Sequence, residues 1–111
     1  MSEDTPETLL PLRPLIFDFL LLFNQEQRHG YGLMQEQNDK GGRQVLGPGT
    51  LYRTLREMQE LGLIQPVNGT DDGSKDRRYY HITSFGRQVA AAEAGRMASL
   101  VGQAKEGRLL G

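Results

Sequence analysis

Apolar residues recur at helical spacing in four stretches of the chain, and these stretches predict four helices. The first is predicted over residues 13–27. Its apolar side chains cover more than half of its circumference, so we expect it to be buried on more than one side. A shorter helix is predicted over residues 31–40 and ends at Gly41-Gly42. The last is predicted over residues 84–106, with Thr83 or Ser84 as its cap.

The third predicted helix has the clearest start and stop signals. Gly47 is acceptable as its N-cap, Pro48 suits the first helical position, and Gly62 suits the position just past the end. Its apolar stripe consists of Leu51, Leu55 and Met58. Because a short helix, a glycine-containing turn and this helix follow one another, the pattern predicts a helix-turn-helix unit.

The exposed face of the third helix changes sign along its length. The first half presents cationic and hydrogen-bonding positions, and the second half is acidic with Glu57 and Glu60. The positions in the first half are Gly49, Tyr52, Arg53 and Arg56. A helix N-terminus also favours anions, so this polarity predicts a helix that enters a polyanion groove with its N-terminus first. The alternative is an ordinary amphipathic surface helix.

Two short strands follow, over residues 63–67 and 77–83, separated by a polar loop at residues 68–76. In the second strand Tyr80 and Ile82 share one face, while Tyr79 and His81 share the other. A helix-turn-helix followed by such a hairpin predicts a winged helix. The basic residues of the wing, Lys75, Arg77 and Arg78, are expected to contact a phosphate backbone, unless they pair with Asp71, Asp72 and Asp76.

These elements predict a mainly α protein with a small β-hairpin, in three segments. We expect a mobile tail at residues 1–11, a winged helix-turn-helix domain at residues 12–83 and a dimerisation helix at residues 84–111. The last helix has more apolar surface than the hairpin can cover, so a second copy of the chain is its expected partner. The predicted dimerisation residues are Leu15, Phe19, Val89, Met97, Leu100, Val101 and Ala104.

The formal net charge of the 111 residues is −1, but the charge is unevenly distributed. Residues 1–39 carry a net charge of −5, residues 40–87 carry +3 and residues 88–111 carry +1. The local sign decides where a polyanion docks, so the excess of basic residues over the predicted helix-turn-helix and wing is compatible with DNA.

The remaining chemistry is sparse. The chain has no cysteine, which excludes disulfides and thiolate metal sites, and its longest apolar run, residues 15–23, is too short to cross a bilayer. We therefore expect a cytoplasmic protein. His29 and His81 are isolated and predict structural roles rather than a metal site. No catalytic set or phosphate-binding glycine loop is present, so we expect neither an enzyme nor a cofactor.

Four ordered motifs resemble the PadR family of bacterial transcriptional regulators, and the resemblance covers residues from about 15 to 105. The motifs are His29-Gly30-Tyr31, Leu-Gly-Pro-Gly-Thr-Leu-Tyr-Arg-Thr-Leu at residues 46–55, Glu-Leu-Gly-Leu-Ile at residues 60–64, and Arg-Arg-Tyr-Tyr-His-Ile-Thr at residues 77–83 with Gly86. With its single C-terminal helix, the chain resembles the compact subfamily.

The resemblance implies a winged-helix dimer that represses transcription at a palindromic operator. It also implies dimerisation through the last helix with help from the first, and release from DNA by a small planar or phenolic compound. The chain departs from the family pattern at two positions, because Gly47 replaces a capping serine or similar residue and Ser84 replaces a frequent proline. It also has no tryptophan to stack flat drugs.

The residues expected at DNA are Tyr31, Gly49, Thr50, Tyr52, Arg53, Arg56, Lys75, Arg77 and Arg78. For Tyr52 the alternative is packing beneath the wing, and for Tyr31 it is packing in the core. Arg53 and Arg56 bind phosphate or a guanine edge unless they pair with neighbouring glutamates on the helix. Two other functions stay open: a winged helix that binds proteins, and a ligand sensor with an apolar pocket at the dimer interface.

Overall fold

The computed structural model describes residues 5–41, 45–67 and 78–110, which form a helical body with a small antiparallel sheet. The mainly α winged-helix fold that the sequence predicts is confirmed. The helices are α1 (Pro14–Gln25), α2 (Gly30–Asp39), α3 (Pro48–Glu60) and α4 (Ser84–Glu106), with a 3₁₀ helix at Pro6–Leu9, and the strands are β1 (Arg28–His29), β2 (Ile64–Pro66) and β3 (Tyr79–Ile82).

The sheet of the described residues has three strands in the order β1-β3-β2, and both pairs are antiparallel. β2 and β3 form the predicted hairpin with Ile64 opposite Ile82, and the Val67 N–H donates to the Tyr79 carbonyl at 2.9 Å. The polar loop predicted at residues 68–76 lies outside the described residues, as does Arg77 at the predicted start of the second strand. β1 was not predicted, because two residues are too short to show an alternating pattern.

α1 is the centre of the hydrophobic core. Five of its twelve residues are buried, which confirms that it is covered on more than one side. The buried residues of α1 are Ile16, Phe19, Leu20, Leu22 and Phe23. Phe23 meets Tyr80 of β3 edge to face at 6.5 Å between ring centroids. As predicted, Tyr80 and Ile82 face the core while Tyr79 and His81 are half-buried.

The first described residues differ from the mobile tail that we expected, because they pack on α4. Leu9 and Leu10 lie against the core, and the Leu12 N–H donates to Glu93 Oε2 at 3.0 Å. Glu93 has no exposed surface, so this bond satisfies a carboxylate in the interior. Apolar side chains and one backbone donor thus bind the N-terminal segment to the middle of α4.

The same carboxylate forms an ion pair. Arg96 Nε donates to Glu93 Oε1 at 2.6 Å, and Arg96 is itself partly exposed. The Arg96 guanidinium lowers the pKa of Glu93 below its usual value, with help from the Leu12 N–H, although burial acts in the opposite direction. Glu93 is therefore held in its charged form inside the protein.

Gly62 and Leu63 connect α3 to the wing through a Schellman motif. Gly62 has a φ of +79°, which favours glycine, and its N–H donates to the Gln59 carbonyl at 3.0 Å. The Leu63 N–H donates to the Met58 carbonyl at 2.9 Å. The prediction that Gly62 ends the third helix is confirmed.

The start of α4 is fixed against the same turn. Thr83 Oγ1 accepts the Gly86 N–H at 2.9 Å and donates to the Gly62 carbonyl at 2.6 Å. A Cβ atom at Gly86 would lie 2.2 Å from the Leu63 carbonyl oxygen, so only glycine fits there. Thr83, rather than Ser84, is the cap.

Arg28 connects the end of α1 to α2. It is only 9% exposed, and its Nε donates to the Leu22 carbonyl at 3.1 Å. Its two terminal nitrogens donate to Gln25 Oε1 at 2.9 Å and to Glu36 Oε2 at 2.5 Å. α1 ends at Gln25, two residues before the predicted end, because the chain turns there to place Arg28 in β1.

Candidate nucleic-acid interface

The chain just before α3 is held by one side chain of α2. Asn38 Oδ1 accepts the Leu46 N–H at 2.7 Å, and Asn38 Nδ2 donates to the Leu46 carbonyl at 3.2 Å. Leu46 is buried, so this pair of bonds satisfies both of its backbone groups. The first residue of α3, Pro48, is two positions further on. Asn38 therefore fixes the start of the helix relative to α2.

α3 turns one face to the core and the other to solvent. Leu51, Leu55 and Met58 are buried as the stripe predicts, and Thr54 is buried with them. The residues on the opposite face are exposed: Gly49, Thr50, Arg53 and Arg56. Gly47 supplies no capping side chain, as expected. The predicted cationic face of the helix is thus open along its first half.

The acidic half of α3 is partly neutralised by Arg13, the N-cap residue of α1. Arg13 donates to Glu57 Oε1 at 2.6 Å, and both side chains remain about half exposed. This ion pair leaves Glu57 directed toward the start of α1. The negative charge of the second half of the helix is therefore reduced beside its basic first half.

The position of Tyr52 is intermediate between the two alternatives that we considered, exposure toward DNA and packing beneath the wing. Its ring is half-buried and packs on the start of α2, where a Cβ atom at Gly30 would lie 3.2 Å from Tyr52 Cε1. Tyr52 also lines a cleft between α3 and the base of the wing. The absence of a side chain at Gly30 allows this close approach of α2 and α3.

Tyr31 is 48% exposed in the first turn of α2, so it does not pack in the core. His29, two residues before Tyr31, has the predicted structural role: its Nδ1 accepts the Gly32 N–H at 3.1 Å and caps α2. His81 Nε2 lies 3.1 Å from Gln65 Nε2 on the neighbouring strand. Over residues 5–41, 45–67 and 78–110, no three His, Asp or Glu side chains are grouped to hold a metal ion.

Only one of the three basic wing residues lies in the described part of the chain. Arg78 is half-buried just before β3. Lys75 and Arg77 lie outside the described residues, as do the aspartates that we considered as their partners. Arg78 and Arg56 line the cleft between β3 and α3, together with Tyr52, Leu55, Gln59 and Tyr80.

A sequence profile of the PadR-like transcriptional regulator family matches residues 19–92 of this chain, which include all four helices and the three strands in whole or in part. The chain belongs to the PadR-like family. Because the members of this family are transcriptional regulators and not enzymes, the prediction that the chain is not an enzyme is confirmed. No match was found among curated proteins.

Solved structures of transcriptional regulators, two of them described as PadR-like, have the same fold. A PadR-like transcriptional regulator from Bacillus cereus is 27% identical with a TM-score of 0.68, over 87% of this chain and 92% of that one. A PadR-like transcription factor from Bacteroides fragilis is 20% identical with a TM-score of 0.71, over 83% of this chain and 87% of that one. A Streptococcus transcriptional regulator is also 20% identical, with a TM-score of 0.69 over 85% and 91% of the two chains.

The residues predicted to mediate dimerisation of this PadR-like chain fall into two groups. Phe19 and Val89 are fully buried in the chain's own core, so they have no surface left for a second copy. The others are half-buried or exposed: Leu15, Met97, Leu100, Val101 and Ala104. Leu100 and Val101 are 48% and 44% exposed on the second half of α4.

Among the described helices, none is both long and apolar enough to cross a membrane.

Proposed function

We propose that this PadR-like chain is a DNA-binding repressor that acts in the cytoplasm as a homodimer on a palindromic operator. The observation that carries the proposal is the solvent-exposed face of α3, which presents Thr50, Arg53 and Arg56 while the opposite face is buried. A helix held in this way has the geometry of a recognition helix that enters the major groove with its N-terminus.

The residues of this face would have different roles. Arg53 has the reach to bind a guanine edge, and Thr50 is placed for a base or a phosphate. Apart from the chain neighbours of Gly49 and its own helix backbone, no heavy atom of the described residues lies within 4 Å of the position that its Cβ would take, so the DNA backbone can approach closely. Tyr31, exposed at the start of α2, would contact the flanking backbone.

Dimerisation through α4 is proposed from its exposed apolar side chains. Leu100 and Val101 lie on the second half of the helix, beyond the part that packs on the body. Pairing with a second copy would bury both of them and would place two α3 helices on successive half-sites. The test is Leu100→Asp, which we expect to shift the chain from dimer to monomer in sedimentation velocity while far-ultraviolet circular dichroism is unchanged.

A small aromatic effector remains part of the proposal, at a site formed between the two copies. Two concavities lined by described residues measure about 170 and 190 Å³. Both are smaller than the roughly 300 Å³ at the lower end of pockets for drug-sized ligands. If flat aromatics stabilise the dimer against heat without changing its affinity for DNA, the sensor function is the better description.

The decisive experiment is selection of bound sequences from random duplex DNA. We expect an inverted repeat whose half-site centres are about one helical turn, 10–10.5 base pairs, apart. A stable dimer that selects no sequence and shows no salt-dependent binding to duplex DNA would instead favour the protein-binding function. Reporter expression from a promoter that carries the selected repeat then separates repression from activation.

Arg53→Ala tests the proposed recognition face. We expect a loss of about 1–3 kcal/mol in operator binding if Arg53 reads a base, or a salt slope reduced by about one if it binds phosphate. Arg87→Ala, which removes an exposed arginine of α4, is the charge-matched control. Unchanged affinity and slope for Arg53→Ala would remove this residue from the interface.

A further inference from the structure

The cleft between α3 and β3 combines positive charge with hydrogen-bond donors. Tyr52, Arg56 and Gln59 line it from α3, at spacings of four and three residues that place them on one side of the helix. Arg78, at the start of β3, lines it from the wing. Leu55 and Tyr80 complete the lining, so none of the six described lining residues is acidic.

The size of the cleft indicates what it can hold. Its volume of about 170 Å³ is too small for a drug-sized aromatic compound, which requires roughly 300 Å³ or more. A single tetrahedral oxyanion fits, and two guanidinium groups are suited to bind it because each offers several N–H donors in a planar fork. The lining therefore favours one phosphate group.

The geometry of a duplex indicates where this phosphate comes from. The major and minor grooves are separated by a sugar-phosphate backbone. If α3 occupies the major groove and the wing lies over the neighbouring groove, the backbone between them must pass between α3 and β3. The cleft lies at that crossing.

We propose that this cleft binds one backbone phosphate of the operator, with Arg56 and Arg78 as charged donors from two different elements and Gln59 as a neutral donor. The inference rests on the proposed function, since it needs DNA at α3. It assigns Arg56 to phosphate rather than to a guanine edge, and it adds Gln59 to the interface.

The test combines protein variants with single methylphosphonate substitutions, which remove the charge of one phosphate at a time. In a series of duplexes, the substitution is placed at each backbone phosphate beside the half-site in turn. At one of these phosphates it should weaken binding of the wild-type chain by about tenfold. The same substitution should have no effect on Arg56→Gln/Arg78→Gln, because the charge-assisted contacts are already lost in that variant. Arg53→Ala should keep the tenfold sensitivity.

Salt dependence provides the second measurement. We expect Arg56→Gln/Arg78→Gln to reduce the slope of log K against log salt concentration by about one, because one phosphate is no longer neutralised. Gln59→Ala should weaken binding with an unchanged slope, because it removes a neutral donor.

The outcomes separate the inference from the function on which it rests. A wild-type chain that binds no duplex refutes the proposed function. A chain that binds the operator, but whose Arg56→Gln/Arg78→Gln variant keeps both the slope and the methylphosphonate sensitivity, refutes only the phosphate cleft. Titration with inorganic phosphate distinguishes the source: micromolar binding at Arg56 that displaces the operator would assign the cleft to a free anion and overturn the proposal.

Discussion

The two halves of α4 have different surroundings, although they belong to one continuous helix. The first half packs on the body of the protein, where Gly86, Val89 and Glu93 are all buried. The second half has no buried residue, and it exposes apolar side chains at Leu100 and Val101. Both halves are thus helical, but only the first half is covered by the body of the protein.

This difference teaches how to interpret an apolar residue on an amphipathic helix. The core of the chain itself explains Val89, whereas the described residues leave Leu100 48% exposed. Exposed apolar side chains that follow one another along a helix favour contact with another molecule. Substitutions along α4 should accordingly change in sign and size from the first half to the second.

The largest effect is expected for Gly86→Ala in the first half. The added methyl group would lie 2.2 Å from the Leu63 carbonyl oxygen, so α4 must move away from the turn after α3. We expect the free energy of unfolding to fall by about 3 kcal/mol, at the upper end for overpacking. Urea titration measures it, and a loss below 1 kcal/mol would show that the turn can adapt.

The next effect is expected for Glu93→Gln, at the boundary between the halves. Glutamine can still accept the Leu12 N–H but loses the ion pair with Arg96, so stability at neutral pH should fall by about 1–2 kcal/mol. Because the folded state lowers the pKa of Glu93, the charged carboxylate stabilises the fold above the unfolded value of about 4.5, and this contribution is lost as the pH falls below it.

The difference in unfolding free energy between wild type and Glu93→Gln should therefore be constant above about pH 5 and shrink on acidification. Glu106→Gln, an exposed acid at the end of the same helix, is the matched control. A difference that does not change between pH 7 and pH 3 would contradict the role of the charged carboxylate.

A change of opposite sign is expected for Gly95→Ala. Within the part of the chain that the structure describes, no heavy atom other than those of the chain neighbours and the helix's own backbone lies within 4 Å of the position that its Cβ would take. The residue is exposed inside the helix. Alanine should raise the free energy of unfolding by about 0.5–1 kcal/mol through helix propensity. Thermal unfolding at several protein concentrations checks it, and destabilisation that grows with concentration would instead place Gly95 at a contact between copies.

The smallest effect is expected for Arg13→Ala, which removes an exposed ion pair for comparison with the buried carboxylate of Glu93. Arg13 and Glu57 are 51% and 42% exposed, so the pair should contribute less than about 0.5 kcal/mol. A double-mutant cycle with Glu57→Ala measures the coupling. A coupling above 1 kcal/mol would mean that proximity matters more than burial for ion pairs in this fold.

Local patterns allowed much of the fold to be predicted from the sequence. The Schellman end of α3 at Gly62 and the alternation of Tyr80 with Tyr79 depend on neighbouring residues, so the sequence displays them directly. The exposed basic face of α3 follows from the same periodicity. Most residues of the candidate interface lie on this face of α3, so local periodicity was enough to predict their exposure.

Long-range polar contacts could not be predicted in this way. Glu93 bonds to a residue 81 positions away, and the bidentate contact between Asn38 and Leu46 has no signature in either local pattern. Phe19 shows a further limit. Its periodicity marks it as buried but cannot distinguish the chain's own core from an interface with a second copy.

The hydrogen bond from Leu12 to Glu93 limits how this position can vary during evolution. The carboxylate binds a main-chain group, so many side chains are compatible with it, but proline is excluded because it has no N–H. Prolines already occupy positions 11 and 14, so the surrounding segment tolerates this residue type well. The Leu12 side chain is itself buried in the core, so homologues that keep the acid on α4 should accept other apolar residues at position 12, with proline as the exception.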